Sequence, residues 1–390
     1  MPSSLYLFKF ISAGSFKPID DPWFPETHAG RGEEARGNRG KPLYRDPNHG
    51  REIVEGVSCL EEMYRGWVNQ IREALVEWGR YRVSGVFDKI VVLGMGGSGI
   101  VGDFLATLSQ TSKGLPVYTS KSHHAPGFID SGTLVLSVSY SGNTVETVNA
   151  TIEAFKKTGN IVVVSSGGHL RDYALKHGLP YIPLPTGLAP RASLPSMLFK
   201  ILGLLDSSGL SMVSRRDAEE TLSFINSVMD NAVEEAYRLA EWIHGIQGLL
   251  VIATHTPLEA LALRGKNEFN ENSKIPVKID VAPEWMHNDI VGYEEPSGIP
   301  LKIIEVFDPV DEAGCRLVEF MDEIYKEVNA WRHRLSLRGE TLLDKLIYGS
   351  LVLGVASVRL AVLRGIDPLE TRSIKRYKES VHNIFPGFKG

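Results

Sequence analysis

Lys89-Ile-Val-Val-Leu93 runs directly into Gly94-Met-Gly-Gly-Ser-Gly99 and then into Ile100-Val-Gly-Asp-Phe104. The first five residues read as a short buried strand, the last five as the start of a helix, and the glycines as the turn between them. Such a turn gathers backbone N–H groups at a helix N-terminus, where they bind phosphate. Gly94, Gly96 and Gly99 also fit G-x-G-x-x-G, the spacing of dinucleotide-binding turns. That motif needs an Asp or Glu about 20 residues further on to grip a ribose. Here the corresponding stretch is Val117-Tyr-Thr-Ser-Lys-Ser122, which has no acid.

Outward from this turn, KIVVLG (89–94), PVYTS (116–120), TLVLSVS (133–139) and NIVVVSS (160–166) alternate with helical stretches. They read as strands buried on both faces, the pattern of a parallel sheet with crossover helices. The third strand ends in Ser137-Val-Ser-Tyr-Ser-Gly-Asn-Thr-Val-Glu-Thr-Val148. Ser139, Ser141 and Thr144 put three hydroxyls and Gly142 around a strand end and a helix start. Ordinary helix caps would use the same residue types. In a sheet of order 2-1-3-4-5, however, strands 1 and 3 flank the switch point where ligands bind. Both loops then face one crevice, and hydroxyls plus helix N–H groups suit a phosphomonoester better than a dinucleotide.

The rest of the chain repeats the design. Apolar residues at 53, 57, 60, 64, 67, 71, 75 and 78 form one stripe of an amphipathic helix. A long helix near 216–244 carries Leu222, Ile225, Met229, Val233, Ala236, Ala240 and Ile243 on one face. A second strand series follows at 248–254, 276–281 and 300–307, and a helix at about 341–363 is apolar nearly all round. The expected architecture is α/β, with two domains at 51–210 and 211–390. Residues 1–50, rich in Gly, Pro, Arg and His, read as a poorly ordered extension outside the working protein.

Composition narrows the function. A net charge of −5 gives no basic footprint for nucleic acid. Forty-three per cent hydrophobic and 23% charged residues are ordinary for a soluble globular chain. The longest apolar run, Leu346–Val358, meets Arg359 before it could span a bilayer. Two cysteines, Cys59 and Cys315, make neither a disulfide framework nor a zinc cluster, although one bridge between them is open. With no clear signal peptide, the expectation is a cytoplasmic protein without a membrane partner.

GMGGSG followed by SYSGNTVET resembles the sugar isomerase (SIS) domain, a phosphosugar-binding fold with a five-stranded parallel sheet. Two in tandem over residues 51–390 are similar to the phosphoglucose isomerase superfamily, most of all to its bifunctional phosphoglucose/phosphomannose isomerases. The resemblance implies two SIS-type domains, each a five-stranded parallel sheet flanked by helices. It implies that Gly97, Ser98, Ser139, Ser141 and Thr144 hold the phosphate of a hexose 6-phosphate. Glucose, mannose and fructose 6-phosphates would interconvert through a cis-enediol with neither metal nor cofactor. A non-catalytic phosphosugar-binding regulator on the same domains is the alternative. A nucleotide-dependent dehydrogenase is a third reading.

Such an isomerase moves a proton between adjacent carbons, for which one carboxylate within reach of both suffices. Glu268 and Glu271, three residues apart, share one face if their segment is helical, and spacing does not choose between them. Glu271-Asn-Ser-Lys274 is similar to the family's Glu-Ser-Asn-Gly-Lys stretch, which implies Glu271 as the base. Opening a cyclic sugar needs a proton on the ring oxygen, a task suited to histidine. His123, His124, His244 and His255 show no partner pattern. The resemblance assigns the task to His287, supplied by the partner subunit of a homodimer. It also implies Arg191 in GLAPRASLP as the cation that steadies the enediolate. Lys378, one helical turn after Lys375, would assist ring opening, and the small Thr371 would leave room for both epimers at C2.

Overall fold

In the computed structural model, residues 56, 59–295 and 298–386 are described. The segment read as an N-terminal extension lies outside them. The described residues form one compact unit.

The first sheet comprises β1 (Lys89–Leu93), β2 (Val117–Ser120), β3 (Thr133–Val138), β4 (Ile161–Ser165) and β5 (Tyr181–Pro183). All neighbours are parallel, in the order β2-β1-β3-β4-β5, the doubly wound order on which the switch-point reading rests. Strands β3 and β4 are buried along their whole length, because helices cover both faces. Strand β2 differs from the expectation of full burial. It is the sheet's edge, and Tyr118 stands half exposed on it.

The second sheet comprises β6 (Leu249–His255), β7 (Val277–Ala282), β8 (Leu301–Phe307) and β9 (Trp331–Ser336). Its parallel order, β7-β6-β8-β9, repeats the first four positions of the first sheet. The resemblance implied a fifth strand here, and the sheet has four. After β9 the chain turns into a capping box, in which Thr341 Oγ1 accepts from the Asp344 N–H at 3.1 Å. The segment after it is the buried 22-residue helix that the apolar run predicts, and among the described residues a further helix, not a fifth strand, follows. Strand β9 itself is charged and half exposed, and Trp331, Arg332 and Arg334 give it the character of a guarded edge.

Alternate residues explain how the two sheets share one molecule. Ile90 and Val92 face a central core with Leu250, Ile252, Ile304 and Val306 of the second sheet. Their neighbours Val91 and Leu93 face an outer cluster over the first sheet. Val251, Ala253 and Ile303 face a separate one over the second. This is the period-2 consequence of stacking two sandwiches back to back. Counting helices from α1 (Trp67–Val76), the two that run down the central layer are α6 (Arg215–Gly245) and α9 (Leu342–Leu363). Helix α9 is the one described helix long and apolar enough to cross a membrane, and it is mostly buried inside the protein. Positions 53 and 57 of the predicted N-terminal stripe lie outside the described residues; from residue 60 on it is present, but a turn at Gly66 divides it into residues 59–65 and α1. Leu60, Tyr64, Trp67 and Ile71 are all fully buried in the central core. Both cysteines are free.

If α9 is the pillar of the common core, Leu351→Ala at its fully buried centre should destabilise the whole chain by about 2–5 kcal/mol. Denaturant unfolding followed by circular dichroism checks this. A cost below about 1 kcal/mol would mean that the two sheets stand without it.

Candidate functional site

The C-terminal ends of β1 and β3, which flank the point where strand order reverses, open onto a cavity of about 510 Å³. Met95–Ser98, the first turn, and Ser139–Glu146, the second, line its floor. Pro190, Arg191 and Glu271 line one wall. The other wall is α10 (Arg372–Ile384), with Thr371 at its start. Thus Gly97, Ser98, Ser139, Ser141, Thr144, Arg191, Glu271, Thr371 and Lys378 converge on one space. They lie on segments separated by up to 281 residues, from Gly97 to Lys378.

The floor is built for close approach. A Cβ on Gly97 would stand 3.2 Å from the Pro190 carbonyl oxygen and 3.3 Å from the Arg191 Cα. Only a residue without a side chain lets the first turn lie against the Arg191 segment. Gly142 has φ +69°, and a Cβ there would fall 1.8 Å from the Gly167 carbonyl oxygen. The Ser98 hydroxyl accepts from the Tyr140 N–H at 3.0 Å and so fastens the two turns together. Ser98 therefore contributes to the cavity as much by shaping it as by facing it.

Thr144 occupies the N-cap position of α3 (Val145–Phe155), yet its side chain makes no cap bond. It pairs with Ser139 Oγ at 3.0 Å instead. By contrast, Ser214 and Thr341 cap their own helices with complete capping boxes. At α3 the first-turn N–H groups are left without a side-chain acceptor, beside two hydroxyls. That arrangement attracts an anion. The Ser141 hydroxyl accepts from the Asn143 N–H at 3.2 Å at the exposed rim.

Arg191 is buried, and its donors are shared among three residues on two segments. Nε donates to Asn272 Oδ1 at 2.6 Å, Nη2 to the Pro368 carbonyl at 2.8 Å and Nη1 to Glu271 Oε2 at 3.2 Å. Its own 3₁₀ turn, Pro190–Ser193, is clamped from outside. Trp67 Nε1 and Gln70 Nε2 both donate to the Ala192 carbonyl, and Arg264 Nη2 donates to that of Arg191 at 2.8 Å. The guanidinium is therefore a fixed cation facing the cavity.

Glu271 and Glu268 part company here. Helix α7 (Glu259–Glu268) runs into a π-turn, Phe269–Ser273, which swings the two acids apart. Glu268 is fully buried, paired with Arg264 at 2.6 Å, and accepts hydrogen bonds from Tyr64 and Asn272. It lines no part of the cavity. Glu271 does, and burial pushes its carboxyl above the ordinary glutamate range while the Arg191 guanidinium pulls it back. Lys274, in the left-handed region with φ 54°, turns its ammonium onto the carbonyls of Glu271 and Asp367. It ties the π-turn to the segment before α10.

Lys378 lines the cavity and Lys375 does not. His287 is exposed, on a 3₁₀ turn (Glu284–His287) after β7, and does not line the cavity of its own chain. Among the lining residues that escaped the sequence reading are Asn143, Glu146, His169 and Tyr377. Asn143 and Glu146 belong to the quoted second turn and could have been taken with it. His169 follows β4 at the next strand end, the same kind of position as the two recognised loops. Tyr377 donates to Glu146 from α10, a pairing 231 residues apart that no local pattern reports. Among the described residues, no group of three or more His, Cys, Asp or Glu side chains could hold a metal ion.

Comparison with known proteins agrees with this geometry. The family described as bacterial phospho-glucose isomerase C-terminal SIS domain matches residues 232–381. The chain is 32% identical over 332 residues to the bifunctional phosphoglucose/phosphomannose isomerase of Aquifex aeolicus, covering 83% of this chain and 99% of that one. It is also 32% identical over 310 residues to the D-glucosamine-6-phosphate 4-epimerase of Sulfolobus acidocaldarius, covering 77% of this chain and 91% of that one. Among solved structures, a hypothetical protein from Thermus thermophilus shares the fold with a TM-score of 0.62 at 18% identity, over 87% of this chain and 96% of that one. With near-complete coverage of a relative above 30% identity, and the two diagnostic loops on one cavity, the chain belongs to the bifunctional phosphoglucose/phosphomannose isomerase family.

Proposed function

We propose that this enzyme interconverts glucose 6-phosphate, mannose 6-phosphate and fructose 6-phosphate through a cis-enediol, without metal or cofactor, as a cytoplasmic homodimer. The observation that carries the reading is one half-buried carboxylate, Glu271, in contact with a fixed guanidinium on the wall of a cavity floored by an uncapped helix N-terminus.

The chemistry follows from that placement. Ser139, Ser141, Thr144, the Gly97 backbone and the first turn of α3 hold the phosphate, with Ser98 fixing the two loops at the right separation. Glu271 takes the proton from one carbon of the open sugar and returns it to the neighbour. Arg191 stands where the enediolate oxygen gathers charge, a donor that needs no reorganisation as the charge develops. Ring opening falls to Lys378 and to His287 of a second copy, a role supported by the exposure of His287 outside its own chain's cavity. The room beside Thr371 takes either epimer at C2. A second reading, epimerisation of an amino-hexose phosphate at C4, is favoured by the activity for which the Sulfolobus relative is named.

A coupled assay on the three hexose 6-phosphates and glucosamine 6-phosphate, with and without chelator, separates these readings. Turnover of the first three with chelator present supports the proposal, and activity confined to the amino sugar overturns it. Glu271→Gln should lower turnover by about 10²–10⁴-fold with little change in KM. Because burial raises the Glu271 carboxyl, the acid limb of the wild-type pH profile should lie above the ordinary glutamate value, with activity growing as the base loses its proton. Ser139→Ala and Thr144→Ala should each raise KM for the hexose phosphates about tenfold or more, the usual worth of a hydrogen bond to a charged group. Unchanged KM in both would place the phosphate elsewhere. Finally, mixing inactive Glu271→Gln subunits with inactive His287→Ala subunits should restore activity, since a heterodimer then holds one intact site. No recovery despite demonstrated subunit exchange would rule out a shared site.

A further inference from the structure

We infer that Asn272 is a positioning residue, the one that holds the Arg191 guanidinium at the angle from which it faces Glu271. The inference rests on the reading of Glu271 as the base, and it concerns a residue that touches neither cavity nor substrate.

The amide of Asn272 is fully buried and its orientation is dictated by its partners. Nδ2 donates to Glu268 Oε2 at 3.0 Å and to Ser357 Oγ at 2.8 Å. Ser357 Oγ gives its own proton to the Gly354 carbonyl at 2.6 Å, so toward Asn272 it acts as an acceptor. Two acceptors on the nitrogen side leave Oδ1 as the end that meets Arg191 Nε, at 2.6 Å. Glu268 is itself immobilised by Arg264 and Tyr64. The π-turn then does something a regular helix would not: consecutive residues reach the same guanidinium, Glu271 from the cavity and Asn272 from the core.

The groups around Glu271 make this hold consequential. Arg191 faces it from the 3₁₀ turn, Arg264 and Glu268 from α7, and Lys274 from its own turn. Lys378 lines the same cavity from α10. Of these, Arg191 is the cation in direct contact, at a single point, with no second hydrogen bond between the pair to fix the angle. Without the Asn272 amide, Arg191 Nε has no acceptor, and only the Pro368 carbonyl and the single contact with Glu271 itself are left to set the direction of the side chain. The cation then drifts from the carboxylate, and the carboxylate loses the charge that favours its ionised form.

Asn272→Leu tests this by removing the amide at nearly constant volume. The readout is the midpoint of the Glu271 carboxyl, followed by ¹³C NMR on protein labelled at glutamate, with Glu271→Gln assigning the resonance. The expected result is an upward move of about one unit, the low end of what an adjacent arginine supplies. A purely structural role would lower the melting temperature and leave the midpoint alone, and an unmoved midpoint in folded Asn272→Leu overturns the inference. Should that variant fail to fold, Ser357→Ala removes one of the two acceptors that orient the amide. It should move the midpoint the same way by less, and no movement there is equally fatal. The titration needs no substrate. A shifted midpoint in a protein that turns over no hexose phosphate would therefore count against the proposed function and leave the role of Asn272 standing.

Discussion

A guanidinium held out of water where two sheets meet sets the terms for the rest of this molecule. Arg191 is buried, and a buried cation is tolerated only when its donors and its charge are both answered. The answers come from Asn272, Glu271 and Pro368, and its turn is braced by Trp67, Gln70 and Arg264. These partners belong to the first helical segment, the second half-chain and the approach to the last helix. The site therefore exists only when both halves are folded together. The shared central core, with α9 along it, keeps them in that relation.

The same economy governs the floor of the cavity. A helix N-terminus normally satisfies its first N–H groups with its own cap, as α6 and α9 do. Helix α3 gives up that cap. Its threonine turns to Ser139, and the unsatisfied N–H groups become a binding surface. Local stability is given up at a helix start that faces the cavity, a common relation between strain and function. Ser98 shows the complementary case, a hydroxyl in a binding loop whose oxygen is already engaged in holding that loop to its neighbour.

Helix α10 completes the enclosure from the far end of the chain. It presents Ile374, Tyr377, Lys378 and Val381 to the cavity and leaves most of its remaining surface in solvent. Tyr377 reaches Glu146 in the first turn of α3, so the helix that floors the cavity and the helix that walls it are joined by one hydrogen bond. Burial and that bond push the Tyr377 hydroxyl up to about 12. It remains a donor throughout the physiological range.

Periodicity and turn chemistry, read from sequence alone, determined the alternation of strands and helices, the two glycine- and serine-rich loops after β1 and β3 and the all-buried α9. These are local signals: a β-branched run, a glycine that must lie close to another backbone, an apolar stripe with no polar side. Residue identity also limited the base to Glu268 or Glu271, and resemblance favoured the second. Tertiary structure decided what each acid faces. Glu268 meets Tyr64, 204 residues away, and Glu271 meets Arg191, 80 away. No helical period encodes such distances. The last strand of the second sheet was likewise illegible, because a charged edge strand such as Trp331–Ser336 carries no apolar run to announce it. Local sequence fixes which way a side chain can point, and only packing fixes what stands there to meet it.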